Sequence, residues 1–413
     1  MARILILVYR FLIGVLMWPA GLALFRHPNF RGTILSRLGL ILPPVSKGRP
    51  VIWIHAASMG EVKAVSGLIK ALKKIYPDRA VFLSSMTAIG RQMASSIPEL
   101  DHIFPLPFDS AWVMGRYFRK LSPSALLIVE TELWPNMILS AHKHGVPVVV
   151  VNARMTERSF RRYSLVRGVA RKILGNVSVL AMAEKDSGRF ARLGVGNVKT
   201  LGNLKLDSIQ EVDLGRRSEM RDRYGIQKRP VFIAGSIREG EEPFVMEAVR
   251  HAAAEIPSLM SILVPRHPDQ VGLLSELAKQ SGLVCCLKSR FEYGTDVIIV
   301  DTMGELFNLY GASDVAFVGG SLVNLGGQNI LEPIAWGIPT LHGPHMDNFI
   351  WALEIVEGFT IQVRGPGELG DAIVDIAVQP EKYYDLAQEA RYLLEKRRGI
   401  TGRYVDALDG YLR

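Results

Sequence analysis

From residue 51 onward, short apolar runs alternate with longer stretches in which apolar residues recur at helical spacing, as in residues 61–76. The runs are four to seven residues long and rich in Val, Ile or Leu. Such runs are typical of parallel strands buried on both faces. We predict strands at VIWIHA, AVFLSS, HIFPLP, ALLIVE, PVVVVNA and SVLAMA in the first half, and at VFIAGS, SILVPR, DVIIVD, VAFVGG and PTLHG in the second.

The chain is too long for one hydrophobic core, because 413 residues exceed the usual size of a single domain. Between the two groups of strands, residues 207–229 turn polar and charged. We therefore expect one domain over residues 51–215 and another over 216–413. The pattern predicts two doubly wound, Rossmann-like α/β domains that face each other and bind ligands in the cleft between them.

The N-terminus differs from the rest of the chain. Residues 4–25 read ILILVYRFLIGVLMWPAGLALF, with Arg10 as the one charge. Five basic residues follow before residue 50, and residues 1–60 contain no Asp or Glu. We interpret residues 1–50 as a membrane anchor with a basic flank, spanning the bilayer or lying in its interface. A cleaved signal peptide and a buried core helix are the alternatives.

A formal charge of +9 and a pI near 9.5 favour an anionic partner: a nucleic acid, an acidic lipid surface or an acidic substrate. Residues 154–172 alone carry seven basic residues and one acidic residue, so they are a candidate for contact with a membrane or with acceptor phosphates. A solvated helix face explains them equally well. Cys285 and Cys286 are adjacent, which argues against a structural disulfide and favours a reducing compartment.

Candidate chemistry in the first half follows the predicted strands. Glu61 comes after VIWIHA in the first turn of a helix begun by Ser58 or Gly60, where it is either functional or a partner of the helix dipole. Glu130 ends ALLIVE and Glu132 follows it, so two carboxylates lie at one strand tip, where acid–base or cation-binding work and a plain turn before Pro135 are the two explanations. Lys205, in GNLKLD, lies close to the domain boundary.

In the second half, the candidates form a site for a phosphate and a sugar. Arg266 suits phosphate or carboxylate, and the glycines let the backbone approach a ligand. A helix beginning near Asn329 offers N–H groups to an anion, and Glu332 could bind sugar hydroxyls. A plain glycine-rich turn is the alternative. The candidates are Arg266, His267, Met303, Gly304, Glu305, Gly319, Gly320, Ser321, Gly327, Asn329 and Glu332.

The sequence contains neither a D-x-D pair nor a Cys/His metal-binding spacing, so we expect no metal site and no cofactor. The glycine-rich stretch is not a P-loop and lacks the dinucleotide G-x-G-x-x-G pattern. A donor with a single phosphate could be bound by Arg266 and a helix terminus without a cation.

Six motifs together resemble the 3-deoxy-D-manno-octulosonic acid (Kdo) transferases of lipopolysaccharide assembly. They occur in that family's order: HAASMGE, ETELWPN, GNLKLD, VPRHP, TMGEL and GGSLVNLGGQNILEP. One difference is Ile330, where members of the family usually have Pro. Proline is favoured at a helix start but is not required there.

The resemblance implies the two-domain GT-B fold, CMP-Kdo as donor and a lipid A precursor, lipid IVA, as acceptor. It implies that acceptor binding belongs to the first domain and nucleotide-sugar binding to the second. It also implies the inner membrane, with the catalytic domains on the cytoplasmic side, and no nucleic acid partner. Glu61 would be the general base of an inverting reaction, supported by Lys205 and one glutamate of ETE, with Glu130 favoured. A sugar-nucleotide epimerase and a non-catalytic nucleotide-binding membrane protein are the alternatives.

Overall fold

The computed structural model describes residues 2–25, 27, 30–46, 48–226 and 229–412. It divides into two compact units: Met1–Ser208 with Gly399–Arg413, and Ile209–Arg398. Arg26 and Lys47 of the predicted basic flank lie outside the described residues.

The first unit is built on a parallel sheet of seven strands in the order β3-β2-β1-β4-β5-β6-β7. The strands are β1 (Val51–His55), β2 (Ala80–Ser85), β3 (His102–Pro105), β4 (Pro123–Val129), β5 (Val148–Ala153), β6 (Val177–Ala181) and β7 (Asn197–Thr200). The direction in which strands are added reverses at β1 and β4. In doubly wound sheets, that reversal marks the place where ligands bind, beyond the carboxyl ends of the strands.

Helices precede and connect these strands. They are α1 (Ala2–Leu24), α2 (Ile34–Arg37), α3 (Met59–Ile75), α4 (Ala88–Ser95), α5 (Ala111–Leu121), α6 (Pro135–Lys143), α7 (Glu157–Leu165), α8 (Arg167–Leu174) and α9 (Glu184–Leu193). The core between helices and sheet includes Trp53, whose indole N–H donates to the hydroxyl oxygen of Ser84 at 2.9 Å.

The apolar helix α1 packs on the first unit. Ile6 and Met17 are buried in the unit's core, although most other side chains of α1 are exposed. The hydroxyl of Tyr9 donates to Asp109 Oδ2 at 2.8 Å. Arg10 Nε donates to Asn136 Oδ1 at 3.0 Å. These polar contacts lie between the buried residues Ile6 and Met17, so α1 is attached to the unit over much of its length.

The second unit repeats the plan with seven parallel strands in the order β10-β11-β9-β8-β12-β13-β14. Its strands are β8 (Val231–Ile237), β9 (Met260–Pro265), β10 (Cys285–Leu287), β11 (Val297–Ile299), β12 (Val315–Val318), β13 (Thr340–His342) and β14 (Ile361–Gln362). Its helices are α10 (Arg216–Arg223), α11 (Glu242–Glu255), α12 (Val271–Gln280), α13 (Leu306–Tyr310), α14 (Leu331–Ala335), α15 (Ile350–Leu353), α16 (Pro366–Val378) and α17 (Pro380–Lys396). Here the order reverses at β8 and β12.

The last helix, α18 (Ile400–Leu412), belongs to the first unit, whereas the sequence placed it in the second. Its N-terminus is capped by Asp207, whose carboxylate accepts from the N–H groups of Gly399 (3.0 Å) and Thr401 (2.6 Å). Tyr404 is buried in the first unit and donates to the carbonyl of Gly202 at 3.0 Å. The return of the chain to the first unit could not be predicted from the single polar stretch at residues 207–229. The units therefore meet in sequence at 208/209 and again at 398/399, rather than at 215/216.

All eleven predicted strands are confirmed, and the fold class is α/β as expected. The sequence missed β7, β10 and β14, each of which lies at the edge of its sheet. They have four residues or fewer. β7 and β14 lack a continuous apolar run, whereas β10 lies in the apolar run LVCCL, which the sequence analysis did not single out.

Candidate active site

Glu61 lies in the first turn of α3, just after β1, as the sequence predicted. Ser58 caps this helix: its side-chain oxygen accepts from the backbone N–H of Glu61 at 3.4 Å, and its hydroxyl donates to Glu61 Oε1 at 3.0 Å. The backbone N–H of Ala57 donates to Glu61 Oε2 at 2.7 Å. These reciprocal hydrogen bonds orient the carboxyl group beside the end of β1.

Burial raises the pKa of the Glu61 carboxyl from 4.5 to about 7, because the charged form loses hydration. The hydrogen bond from Ala57 opposes that rise, the charge of Glu130 adds to it, and Ser58 and Glu132 contribute smaller effects of opposite sign. A carboxyl group that titrates near neutral pH can accept and return a proton under physiological conditions. Glu61 therefore has the proton affinity expected of a general base.

Lys205 and Glu130 are ion-paired. Lys205 Nζ donates to Glu130 Oε1 at 3.2 Å, although 75 positions separate them in sequence. Glu130 follows β4 with a left-handed backbone φ of 57°, which is uncommon for a residue other than glycine and often marks functional sites. Lys205 lies in a 3-10 turn whose Leu204 N–H donates to Asn152 Oδ1 at 2.9 Å.

Glu132 completes the group. The indole N–H of Trp134 donates to Glu132 Oε2 at 2.9 Å. Burial, aided by the charge of Glu130, raises the pKa of the Glu132 carboxyl. The structure thus brings together three carboxyl groups and one ammonium group beyond β1 and β4, where the order of the first sheet reverses.

In the second unit, Arg266 and His267 are exposed beyond the carboxyl end of β9. The backbone N–H of Arg266 donates to the carbonyl of Ile237 at 2.8 Å, which attaches this loop to the end of β8. The backbone N–H of His267 donates to Gln270 Oε1 at 2.9 Å. Both side chains are accessible to a ligand.

Met303, Gly304 and Glu305 precede α13, as the sequence predicted. Met303 is 66% exposed, and Gly304 has φ +83°, a value that favours glycine. Glu305 forms an ion pair with Lys288, which the sequence analysis did not single out. Lys288 lies just after β10, and its side chain is largely buried.

The glycine-rich stretch 319–333 follows β12, and its glycines are required by packing within the protein. A Cβ on Gly319 would lie 2.4 Å from the carbonyl oxygen of Ser236. A Cβ on Gly327 would lie 2.3 Å from Met346 Sδ, and both Gly320 and Gly327 have positive φ. The stretch is therefore a shaped loop with internal reasons for its glycines, in addition to any role in ligand approach.

The predicted use of this loop's backbone for phosphate needs correction. The N–H groups of Gly320, Ser321 and Leu322 all donate to the carboxylate of Glu241. They are therefore occupied. The buried hydroxyl of Ser321 donates to the carbonyl of Val318, so it too has a partner within the protein.

The helix predicted to begin near Asn329 is α14, which begins at Leu331 and ends at Ala335. So few peptide units carry a small dipole, which makes the expected attraction for an anion weak. Asn329 accepts from the N–H of Leu331 at 3.3 Å, and its amide donates to Glu332 Oε1 at 2.9 Å. The hydrogen bond between Asn329 and Glu332, the predicted sugar-binding residue, orients both side chains.

Sequence reasoning missed the segment REGEE, residues 238–242, which follows β8 and ends at the first residue of α11. Arg238 lies against Gly320, and its Nε is buried without a partner among the described residues. Glu241 is fully buried. The signal available in the sequence was two adjacent glutamates after an apolar strand, which resembles an ordinary acidic helix start. Within the described part of the chain, no group of three or more His, Cys, Asp or Glu residues is arranged to hold a metal ion.

Solved structures share the fold. A glycosyltransferase from Rickettsia africae has a TM-score of 0.60 at 12% identity, covering 89% of this chain and 99% of that one. A UDP-GlcNAc 2-epimerase from Neisseria meningitidis, bound to UDP-GlcNAc, has a TM-score of 0.57 at 14% identity, covering 87% and 99%. The fold is therefore GT-B, which here accommodates both a glycosyltransferase and an epimerase.

Sequence relationships distinguish between these activities. Residues 33–208 match the family described as 3-deoxy-D-manno-octulosonic-acid transferase (kdotransferase). The 3-deoxy-D-manno-octulosonic acid transferase of Haemophilus influenzae is 32% identical over 403 residues, covering 95% of this chain and 94% of that protein. The enzyme of the same name from Bordetella pertussis is 31% identical over 380 residues, covering 87% of each. The chain belongs to the 3-deoxy-D-manno-octulosonic acid transferases and is a glycosyltransferase of lipopolysaccharide biosynthesis.

Proposed function

We propose that the protein transfers Kdo from CMP-Kdo to a lipid A precursor, lipid IVA, by an inverting reaction in which Glu61 is the general base. The observation that carries this proposal is the half-buried carboxyl of Glu61, with its pKa of about 7, beside Glu130, Glu132 and Lys205. Of the three carboxyl groups, Glu130 is ion-paired with Lys205 and Glu132 accepts from Trp134. Glu61 has no cationic partner among the described residues and is the best acceptor for a proton.

In the proposed reaction, an acceptor hydroxyl oxygen forms a bond to the anomeric carbon of Kdo while the bond from that carbon to the CMP phosphate breaks. The hydroxyl proton passes to Glu61, and the bonding electrons leave with CMP. Positive charge develops on the sugar ring, as in glycoside hydrolysis, and the negative charge of Glu130 stabilises it. Lys205 holds Glu130 in place and keeps the site from becoming uniformly negative.

The second unit supplies the proposed donor site. Arg266 and His267 are exposed and suited to the phosphate, and Met303–Glu305 and Asn329 with Glu332 are suited to the nucleoside. Because three N–H groups of the glycine-rich stretch already donate to Glu241, side chains rather than this backbone neutralise the phosphate. Gly319, Gly320, Ser321 and Gly327 shape the loop.

The experiment combines purified protein, CMP-Kdo and lipid IVA, and follows CMP release by chromatography and Kdo–lipid products by mass spectrometry. The proposal expects CMP release that depends on the lipid acceptor, with one CMP for each Kdo transferred. CMP release at the same rate without acceptor, or no product of increased mass, would contradict it.

We further infer that α1 lies in the membrane interface rather than spanning the bilayer. It is the one helix among the described residues that is long and apolar enough to cross a membrane. Its inner side is held by the hydrogen bonds of Tyr9 and Arg10 and by burial of Ile6 and Met17. Spanning would require all these contacts to break, whereas interfacial binding needs only its exposed side.

That exposed side is strongly apolar, with Phe11 70% and Leu22 82% exposed. Ala2, at the start of α1, lies close to Gly168 of α8, and α7 carries the exposed arginines 158 and 161. Apolar and basic groups together suit an anionic membrane surface such as the cytoplasmic side of the inner membrane. The same arginines, with Glu157, Arg162 and Leu165, line a surface cavity of about 460 Å³, whose excess of basic groups suits acceptor phosphates although Arg161 is ion-paired with Glu157.

A substitution on the exposed side of α1 tests its membrane binding better than a truncation does, because removing α1 would expose the core around Ile6 and Met17. Phe11→Glu should weaken binding to anionic vesicles about tenfold or more while leaving the melting temperature nearly unchanged. Val378→Glu, at an apolar residue of the second unit that is 64% exposed, is the matched control. Equal vesicle binding by the two variants would rule out α1 as the contact.

A further inference from the structure

We propose that Glu241 and Glu242 are positioning residues of the donor site, each holding one of the two loops that bind CMP-Kdo. This inference rests on the proposed placement of the donor in the second unit. Neither glutamate is expected to touch the donor, because both side chains are buried, with 0% and 2% of their surface exposed.

Glu241 organises the glycine-rich loop after β12. Its Oε1 accepts from the N–H groups of Ser321 at 2.9 Å and Leu322 at 2.8 Å. Its Oε2 accepts from the N–H groups of Gly320 and, at 3.0 Å, Arg238. A carboxylate offers about four acceptor positions, so these four N–H groups occupy all of them. The loop's path is therefore set by one side chain before any ligand binds.

Glu242 organises the loop after β9. Its Oε2 accepts from the N–H of Gly240 at 2.7 Å, and its Oε1 accepts from Gln270 Nε2 at 2.6 Å. Gln270 Oε1 in turn accepts from the backbone N–H of His267 at 2.9 Å. The chain of hydrogen bonds runs from a buried carboxylate to the loop that carries Arg266 and His267.

The two glutamates are adjacent because the loops lie on either side of them. They follow β8, and β8 pairs with β9 on one side and with β12 on the other. Consecutive residues beyond the end of β8 can therefore reach both neighbouring loops. A loop held in its binding conformation loses less entropy when the ligand arrives, so this segment should contribute to donor affinity.

The test replaces Glu241 with Gln in the full chain and measures CMP affinity by calorimetry. An amide turns one acceptor oxygen into a donor, which would face two N–H groups. CMP affinity should fall about tenfold, and the KM for CMP-Kdo should rise in proportion. The KM for the lipid acceptor should change by less than about twofold.

Asp314→Asn is the control for a purely structural effect. Asp314 also accepts hydrogen bonds in the second unit, from Arg217, Arg221 and the N–H of Val231, but it precedes β12 and lies at the opposite end of the sheet. The Asp314→Asn variant should have a lower melting temperature than the parent and an unchanged affinity for CMP. Should Glu241→Gln fail to fold, Gln270→Met carries the test, since it breaks the link between Glu242 and His267 and should weaken CMP binding about threefold.

Arg266→Ala separates this inference from the proposed donor site. If Arg266→Ala weakens CMP binding while folded Glu241→Gln and Gln270→Met bind CMP as the parent does, the positioning role is wrong and the donor site stands. If neither Arg266→Ala nor Glu241→Gln alters CMP affinity, the placement of the donor in this unit is wrong, and the positioning role fails with it.

Discussion

Glu61 and Glu241 occupy equivalent places in the two units, yet their surroundings differ. Glu61 follows β1 and Glu241 follows β8, and each strand adjoins the point where the order of its sheet reverses. Glu241 is enclosed by four N–H donors. Glu61 has two hydrogen-bond donors to its carboxyl group and two carboxyl groups nearby. The carboxylate of Glu241 is surrounded by hydrogen-bond donors, whereas the carboxyl group of Glu61 has fewer donors and a raised pKa.

The comparison shows what burial does to a carboxyl group at a strand end. Where enough donors are supplied, burial produces a rigid support for a loop. Where donors are few and like charges are near, burial produces proton affinity near neutral pH. Position in the fold therefore does not determine the role, whereas the number and kind of neighbours does.

The largest expected effect is that of Glu61→Gln on turnover. The variant keeps the shape of the side chain but cannot accept a proton, so Kdo transfer should slow by at least about a hundredfold. CMP affinity should stay within a few-fold of the parent. Glu184→Gln, in the first turn of α9, is the control for loss of a helix-dipole partner and should leave turnover normal. If Glu61→Gln transfers Kdo at a rate within a few-fold of the parent's, Glu61 is not the base, and Glu130 or Glu132 becomes the candidate.

The second-largest expected effect is that of Arg266→Ala on CMP affinity, which tests the proposed donor site in the second unit. Loss of a charged hydrogen bond to phosphate costs about 1.5–3 kcal/mol, or roughly tenfold to over a hundredfold in CMP affinity. The side chain is exposed, so the melting temperature should not change. Calorimetry that finds parental CMP affinity would remove Arg266 from the site.

At neutral pH, replacing glutamate by glutamine should have opposite effects on the free energy of unfolding at Glu61 and at Glu241. The folded-state pKa of Glu61 is raised from 4.5 to about 7, so the unfolded state ionises first as pH rises, and the parent loses stability between those values. Glu61→Gln lacks this loss, so its stability relative to the parent should rise by about 1–3 kcal/mol from pH 4.5 to pH 7.5. Glu241→Gln should instead be less stable than the parent, by about 1.5–3 kcal/mol at pH 7.5. Urea unfolding at both pH values measures these differences, and a Glu61→Gln curve that parallels the parent's at every pH would contradict the first.

The smallest expected effect is that of a chelator. If Arg266 neutralises the single phosphate of the donor, as we propose, the reaction needs no cation, and the sequence has no D-x-D pair. EDTA should leave most of the Kdo transfer intact. Activity that EDTA abolishes and magnesium restores would show that the proposed cationic groups are insufficient.

The strands, and the positions of the candidate residues relative to them, could be predicted from the sequence because both leave local signals. The eleven predicted strands are apolar runs, Glu61 and Glu130 each come just after one, and Lys205 lies in the recognisable motif GNLKLD. The sequence could not predict that Glu241 would bind N–H groups about 80 positions away, because the glycine-rich loop has the same composition whether it binds a ligand or a carboxylate. Nor could it place α18, since return to the first unit depends on long-range contacts such as that between Tyr76 and Asp409.

The pH dependence of Kdo transfer tests the central claim about Glu61 most directly. A base must be ionised to act, so kcat/KM of the parent should fall about tenfold per pH unit below a midpoint near pH 7, the pKa of Glu61. The residual activity of Glu61→Gln should lack this acid limb. An acid limb that persists in the Glu61→Gln variant, or a parent profile that stays flat down to pH 5, would show that another group carries the proton.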